Sequence, residues 1–320
     1  MRYRKLGTTG IEVSEIGFGG FAIGGYDYGP TDDRESLAAL EKAYHLGVTF
    51  FDTADMYGDG RSETLIGQAL KGKNPPAFVA TKVGFVGKRG DHQKDFSRAH
   101  ILAAAEQSLR RLQREAIDLY QLHNPSLADL ESGEVFEVMD ELVAAGKVRF
   151  WGVSAPSRNV VEICRRALAW PSASSIQIIC NLFQSRDLEE LRGEILGRGI
   201  GVVARAPLEY GMLTGKFSPA TRFAPGDHRN WRWKPEELSR QSAQAEELRK
   251  AFQGKPVTLS QVAIGFALAH PEVSVVICGA KRPAQIEENM ATSDLMGNVL
   301  TEADLRRARD LISDVRTPAP

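Results

Sequence analysis

The 320-residue sequence predicts a closed barrel of eight parallel strands ringed by helices, the (β/α)8 or TIM architecture. Short apolar runs without polar alternation recur along the chain, and each is separated from the next by an amphipathic stretch of helical period. Runs of that kind are strands buried on both faces of a parallel sheet. Eight such units in one chain of this length favour a barrel that closes on itself over an open doubly wound sheet. With 42% hydrophobic and 25% charged residues the chain can bury a sizeable core. Nothing in it has linker or low-complexity composition, so residues 1–320 read as a single barrel domain.

The elements follow in order. YRKLGTTGIEVSEIGFG opens with a short hairpin around Thr8-Thr9-Gly10, and the first barrel strand follows at 14–18. Leu37, Leu40, Ala43 and Tyr44 then recur at helical spacing over 32–46, and Gly47 stops that helix before the apolar run VTFF. The remaining strands are expected at 48–51, 78–81, 117–122, 150–153, 176–179, 201–204 and 273–277. Their helices fall near 62–71, 98–112, 134–145, 157–168, 187–198, 258–269 and 283–292. Residues 205–257 form an extended loop after the seventh strand, with one helix at 236–252 and the cluster RNWRW. Long loops on a barrel's upper face commonly serve as lids or ligand contacts. Thr301-Glu302-Ala303-Asp304 is a capping box for a last helix over 302–313, outside the barrel.

Composition removes whole classes of function. Forty basic residues against forty-one acidic ones give a net charge of -1, so no global field recruits nucleic acid or an anionic membrane. No signal-peptide core and no long apolar span is present, and the expected location is the cytoplasm. Cys164, Cys180 and Cys278 lack any paired spacing and read as buried reduced thiols, not as a disulfide framework or metal site.

A barrel of this kind places its chemistry at the carboxyl ends of the strands, where the polar residues here are far from random. Strand two runs into Asp52, with Tyr57 in the loop beyond, strand three into Lys82, strand four into His123 and strand five into Ser154. Strand six contains Gln177 and leads to Asn181, strand seven leads to Arg205, and strand eight to Gly279-Ala280-Lys281-Arg282. Asp52, Tyr57, Lys82 and His123 form an acid–base kit. A phenol near its ordinary pKa of ~10 is a poor proton donor at neutral pH, and an adjacent ammonium is expected to lower that value. Asp52 would compensate the lysine's charge, and His123 would hydrogen-bond a substrate oxygen. The other five histidines fall in helices, helix ends or loops. Asp55 is a surplus acid, assigned to the loop or to capping.

Gly17-Phe18-Gly19-Gly20-Phe21-Ala22 matches the dinucleotide fingerprint, but Gly24, Gly25, Gly29 and Pro30 stand where a phosphate-binding helix should begin. The glycines are better read as the mouth of strand one, leaving room for a ligand beside Phe21 and Tyr26. The clearest anion signal is Lys281-Arg282-Pro283 at the start of the eighth helix, where free N–H groups and the macrodipole attract phosphate.

With these residues in place the sequence resembles the aldo-keto reductases over nearly its whole length. The matching stretches are RKLGTTGIEVSEIGFGG, FFDTADMYGDGRSETLIGQAL, VATKVG, IDLYQLHNP, GKVRFWGVS, PLEYGMLTGKF and GAKRPAQIEENM. The resemblance implies a (β/α)8 barrel that binds NADPH across its strand ends and reduces a small-molecule aldehyde or ketone. It implies a tetrad of Asp52, Tyr57, Lys82 and His123, with Tyr57 as proton donor. Ser154 and Gln177 match carboxamide-holding positions, and Lys281, Gln285, Glu288 and Asn289 match positions around the adenosine 2'-phosphate and adenine. Gly20, Phe21, Arg205, Pro207, Leu208, Gly279 and Arg282 complete the implied cofactor contacts. Lys281 and Arg282 favour NADPH over NADH, because a 2'-phosphate needs cations.

Three residues depart from the family's pattern. Ala155 replaces the asparagine that often follows Ser154, and Cys278 stands where proline is common. Arg205 stands where an aromatic often stacks on the nicotinamide, and its charge disfavours the cationic oxidised ring. Tyr26, Phe85 and Trp231 are candidate substrate contacts, with Trp233 beside them in sequence. The alternatives left open are an NAD(P)-dependent aldose dehydrogenase and a cofactor-binding regulatory subunit of a membrane channel.

Overall fold

The structure is a computed structural model that describes residues 1–312 apart from Tyr26 and Arg89. Tyr26, expected at the substrate end, and Ser313, expected to close the last helix, lie outside the described residues. An antiparallel hairpin, β1 (Tyr3–Lys5) and β2 (Glu12–Ser14), precedes the barrel. The barrel strands in chain order are β3 (Ile16–Gly19), β4 (Phe50–Asp52), β5 (Phe78–Val83), β8 (Ile117–His123), β9 (Val148–Ser154), β10 (Ser175–Ile179), β11 (Gly201–Arg205) and β12 (Val275–Gly279). Between β5 and β8 the chain forms a small flap, β6 (Phe85–Val86) with β7 (Gln93–Lys94). Each barrel strand pairs in parallel with the next in sequence, and β12 closes onto β3.

Helices α1 (Asp33–His45), α2 (Arg61–Leu70), α3 (Arg98–Leu112), α4 (Glu134–Ala144), α5 (Val160–Leu168) and α6 (Arg186–Arg198) alternate with the strands up to β11. The long loop after β11 holds α7 (Arg229–Arg232) and α8 (Pro235–Ala251), and α9 (Leu259–Leu268) then leads into β12. Helix α10 (Pro283–Leu295) follows β12, and α11 (Glu302–Leu311) packs outside the ring against α9 and α8. Thr301 caps α11, its Oγ1 accepting from the Asp304 amide at 3.3 Å.

Most strands reach one or two residues further than the apolar runs suggest. Asp52, His123, Ser154 and Arg205 are the last residues of β4, β8, β9 and β11, and Lys82 lies within β5. The ladder continues to these polar residues; His123 pairs with Ser154 and Lys82 with Gln121 across neighbouring strands. Functional side chains therefore sit on hydrogen-bonded backbone, which fixes their direction better than a loop would.

Two apolar layers hold this frame. One lies between the strands and the helices and includes Ile16, Phe18, Phe51, Val79, Tyr120 and Trp151. The other fills the barrel with Phe50, Phe78, Ala80, Leu119, Val203, Val275 and Ile277. Leu6 and Val13 of the hairpin join the inner layer, so β1 and β2 plug the end of the barrel opposite the strand mouths. Truncating Leu6→Ala should cost about 2–5 kcal/mol in denaturant melts, the range for emptying a buried leucine site. Ligand affinity at the other end should be unchanged.

Candidate active site

The mouth of the barrel opens into a cavity of about 530 Å³. At its inner end the side chains of two adjacent strand pairs on opposite sides of the barrel, β9 with β10 and β4 with β5, form one hydrogen-bonded chain. Ser154 Oγ donates to Gln177 Oε1 at 3.1 Å, and Gln177 Nε2 donates to Asp52 Oδ1 at 2.7 Å. Lys82 Nζ donates to Asp52 Oδ2 and to the Thr53 carbonyl, each at 2.7 Å, and to the Tyr57 hydroxyl at 3.3 Å. These three bonds use all three ammonium donors. Lys82 is wholly buried and Asp52 nearly so. Removing both charges from water is costly, and here direct pairing with full hydrogen bonding offsets that cost.

Tyr57 is placed by its loop. Gly58 has φ +65° and lies so close to the Gly24 carbonyl that any side chain there would collide with it. That contact clamps the loop onto the short 3-10 turn Ala22–Gly24, and Phe21 packs on the Tyr57 ring at 4.9 Å between centroids. Gly20 serves packing in the same way. A Cβ there would meet the Asp52 carbonyl at 2.8 Å and Ser62 Oγ at 2.6 Å, so the expectation that it leaves room for a ligand is corrected. Gly19 lines the cavity instead.

His123 meets Tyr57 and Phe85 edge to face, with centroids 5.9 Å and 5.1 Å apart. Its Nδ1 is buried with no hydrogen-bond partner among the described residues. Burial, reinforced by the charges of Lys82 and Arg205, holds the imidazole well below its ordinary pKa, so it is neutral. Burial likewise raises the Tyr57 phenol well above its usual value, with Asp52 adding to the rise and Arg205 opposing it. The expected lowering by Lys82 therefore does not prevail in the resting site, where burial first and the Asp52 carboxylate second push the phenol upward. Desolvation also lowers Lys82, and Asp52 opposes that shift. Asp55 is no member of this hydrogen-bonded chain; it accepts from the Met56 amide at 2.7 Å and is pushed up to about 8 by burial and by Glu63.

At the rim, Gly279, Lys281 and Gln285 line the same cavity. Gln285 Oε1 accepts from the Lys281 and Arg282 amides at 2.9 and 3.2 Å, capping α10 from within. Lys281 Nζ donates to the Tyr28 carbonyl at 2.6 Å, tying down the loop after β3, and has no carboxylate partner among the described residues. Of the other expected cofactor residues, Phe21, Gln177, Arg205, Pro207 and Leu208 also line the cavity. Ser154 lies one layer behind, Asn289 is buried on α10, and Glu288 accepts from Gln261 through its backbone. Arg282 points to solvent and pairs loosely with Glu35 at 3.4 Å.

The long loop after β11 covers one side of the mouth. Arg232 lies flat on the Tyr210 ring, 3.3 Å from its centroid, and donates to Glu209 at 3.1 Å. Arg229 is paired with Asp227 and stacks over Tyr28 and Phe223. His228 donates its backbone N–H to the Asp27 carbonyl at 2.9 Å, joining this loop to the one after β3. Tyr28, Tyr210, His228, Arg229 and Arg232 all line the cavity and escape a reading of strand ends. Trp231, expected at the substrate, is 74% exposed and outside the lining, while Trp233 packs beside Phe217 and Phe223. Residues 229 and 232 share a face of the short helix and residue 231 takes the opposite one, so the aromatic signal pointed to the wrong side of RNWR. Phe85 does line the cavity.

Residues 15–312 match the aldo/keto reductase family. The chain is 35% identical to the aldo-keto reductase YhdN of Bacillus subtilis, over 98% of its own length and 94% of the relative's. It is similar to the holo form of aldo-keto reductase AKR11C1 from Bacillus halodurans, with a TM-score of 0.80 at 30% identity over 98% of this chain and 97% of that one. It is also similar to the glycerol dehydrogenase AKR11B4 from Gluconobacter oxydans, with a TM-score of 0.82 at 28% identity over 99% of this chain and 97% of that one. The chain belongs to the aldo/keto reductase family and is an oxidoreductase.

Because its folded-state pKa is depressed, the His123 site opposes protonation of the fold. Stability is full above about pH 6.5, the unfolded value, and declines as pH falls from there toward the folded value. An NMR titration should find the His123 ring neutral through about pH 6.5, and His123→Phe should remove its share of that acid-side loss.

Proposed function

We propose that this protein reduces aldehyde or ketone carbonyls to alcohols with NADPH, using Tyr57 as the proton donor. The observation that carries this reading is the chain from Asp52 through Lys82 to Tyr57, which ends with a protonated phenol facing the cavity. The residues present fit the cofactor. Two cavity cations, Arg205 at the inner end and Lys281 at the rim, have no carboxylate partner among the described residues, as an extended polyanion would require. Lys281, Gln285 and the α10 N-terminus would hold the 2'-phosphate end, and the shelf of Ser154 and Gln177 the carboxamide. A bound nicotinamide supplies the hydride.

The protein's own residues do the rest. Tyr57 Oη gives its proton to the carbonyl oxygen as negative charge develops there. The phenolate left behind accepts a hydrogen bond from the Lys82 ammonium, whose charge Asp52 keeps affordable in a buried site. Neutral His123 presents one ring nitrogen for the same oxygen without adding charge. Phe21, Met56 and Phe85 give the substrate end of the cavity an apolar wall that excludes water. These supports hold equally for the reverse reaction, and the similarity to a glycerol dehydrogenase makes alcohol oxidation the second reading. Kinetics measured in both directions separate the two.

Tyr57→Phe should reduce kcat with an aldehyde panel by roughly 10²–10⁴-fold while NADPH binding stays within about twofold of native. Unchanged turnover would remove Tyr57 from the role. Lys281→Met should weaken NADPH much more than NADH, about tenfold for one lost charge-assisted phosphate contact, and equal loss for both would place the 2'-phosphate elsewhere.

A further inference from the structure

Among the described residues three arginines line the cavity, and two of them are neutralised locally. Arg229 pairs with Asp227 and Arg232 with Glu209. Arg205, the last residue of β11, has no carboxylate within reach among the described residues. Its Nη2 donates to the Ala155 carbonyl at 3.0 Å and its Nη1 meets the Tyr210 hydroxyl at 3.4 Å. Its Nε is buried with no acceptor. The guanidinium is held in place by neutral groups, and its charge is left over.

A count of charge at the inner end makes this leftover decisive. Asp52 and Lys82 cancel, and Tyr57 and His123 are neutral. Asp55, outside the cavity lining, is mostly protonated at neutral pH. Among the described residues the inner end therefore carries one net positive charge, and it belongs to Arg205. Its field reaches the neighbouring groups: it pulls the pKa of both Tyr57 and His123 downward. Arg205 faces Ile179 across the β10–β11 ladder and is bonded to the residue after Ser154, so it flanks the shelf proposed above for the carboxamide.

Resting on the NADPH reading, we propose that Arg205 makes the site discriminate between the two redox forms of its cofactor, favouring the reduced, uncharged nicotinamide and expelling the oxidised, cationic one. The consequence is a bias toward carbonyl reduction and fast release of spent cofactor. Hydride departure gives the ring one unit of positive charge, and a fixed guanidinium beside it opposes that change by ordinary Coulomb repulsion. The phosphates are common to both redox forms, so their contacts cannot produce the preference.

The test is a fluorescence titration of the native protein and of Arg205→Met with NADPH and with NADP+, taking the ratio of the two dissociation constants. The native protein should bind NADPH tighter than NADP+, and Arg205→Met should narrow that ratio about tenfold, the order expected for one partly screened unit charge. Arg205→Lys keeps the charge and should keep the ratio within about twofold. If Arg205→Met does not fold, Arg205→Gln retains a donor for the Ala155 carbonyl and provides the same comparison. Equal weakening of both redox forms would make Arg205 a general anion contact and overturn the inference while leaving the NADPH reading intact. Failure of the native protein to bind either form would sink the cofactor reading, and the inference with it.

Discussion

The site depends on one buried ion pair. Lys82 is fully enclosed by the barrel, and a lone ammonium there would lose its proton sooner than stay charged. Asp52 prevents that from the neighbouring strand at 2.7 Å, and it is in turn held by Gln177 and more distantly by Gln121. Four strands thus contribute to one charge pair. If the register of β4 against β5 or of β9 against β10 slipped by one residue, a member of this chain would point into the helical layer.

Burial, with smaller contributions from the charges of the pair itself, determines the state of the neighbouring groups. Tyr57 feels burial more than it feels Lys82 and stays protonated, while His123 stays neutral. A protonated hydroxyl and an uncharged imidazole stand edge to face in the lining of a cavity with an apolar wall. In the proposed reaction the ammonium would act after proton transfer, when the phenolate needs it. Beyond this neutral core, Arg205 and Lys281 give the cavity a positive charge at each end with no carboxylate partner among the described residues.

Much of this was legible in the sequence because the barrel writes its chemistry in a fixed place. Asp52, Lys82, His123 and Arg205 each stand at or near the end of an apolar run, and the run itself announces the strand. The lid was not legible by the same rule. Arg229 and Arg232 reach the cavity and Trp231 does not, because a four-residue helix gives too little periodicity to show which face turns inward. Gly20 misled for a different reason: a glycine needed for backbone packing against β4 and one needed to admit a ligand look alike until the neighbours are known. The pKa of Tyr57 required the structure as well, since its burial and its closeness to the Asp52 carboxylate are not visible in composition.

The most direct test of the ion pair's role is a double-mutant cycle in denaturant stability between Asp52→Asn and Lys82→Met. Each single change leaves a buried partner uncompensated and should cost about 3–5 kcal/mol. The double variant, with no charge left to strand, should be more stable than the sum of the two losses predicts, giving a coupling energy of roughly 2 kcal/mol or more. Losses that simply add to within about 0.5 kcal/mol would contradict the account, because the two groups would then be independent and the site would not rest on their compensation.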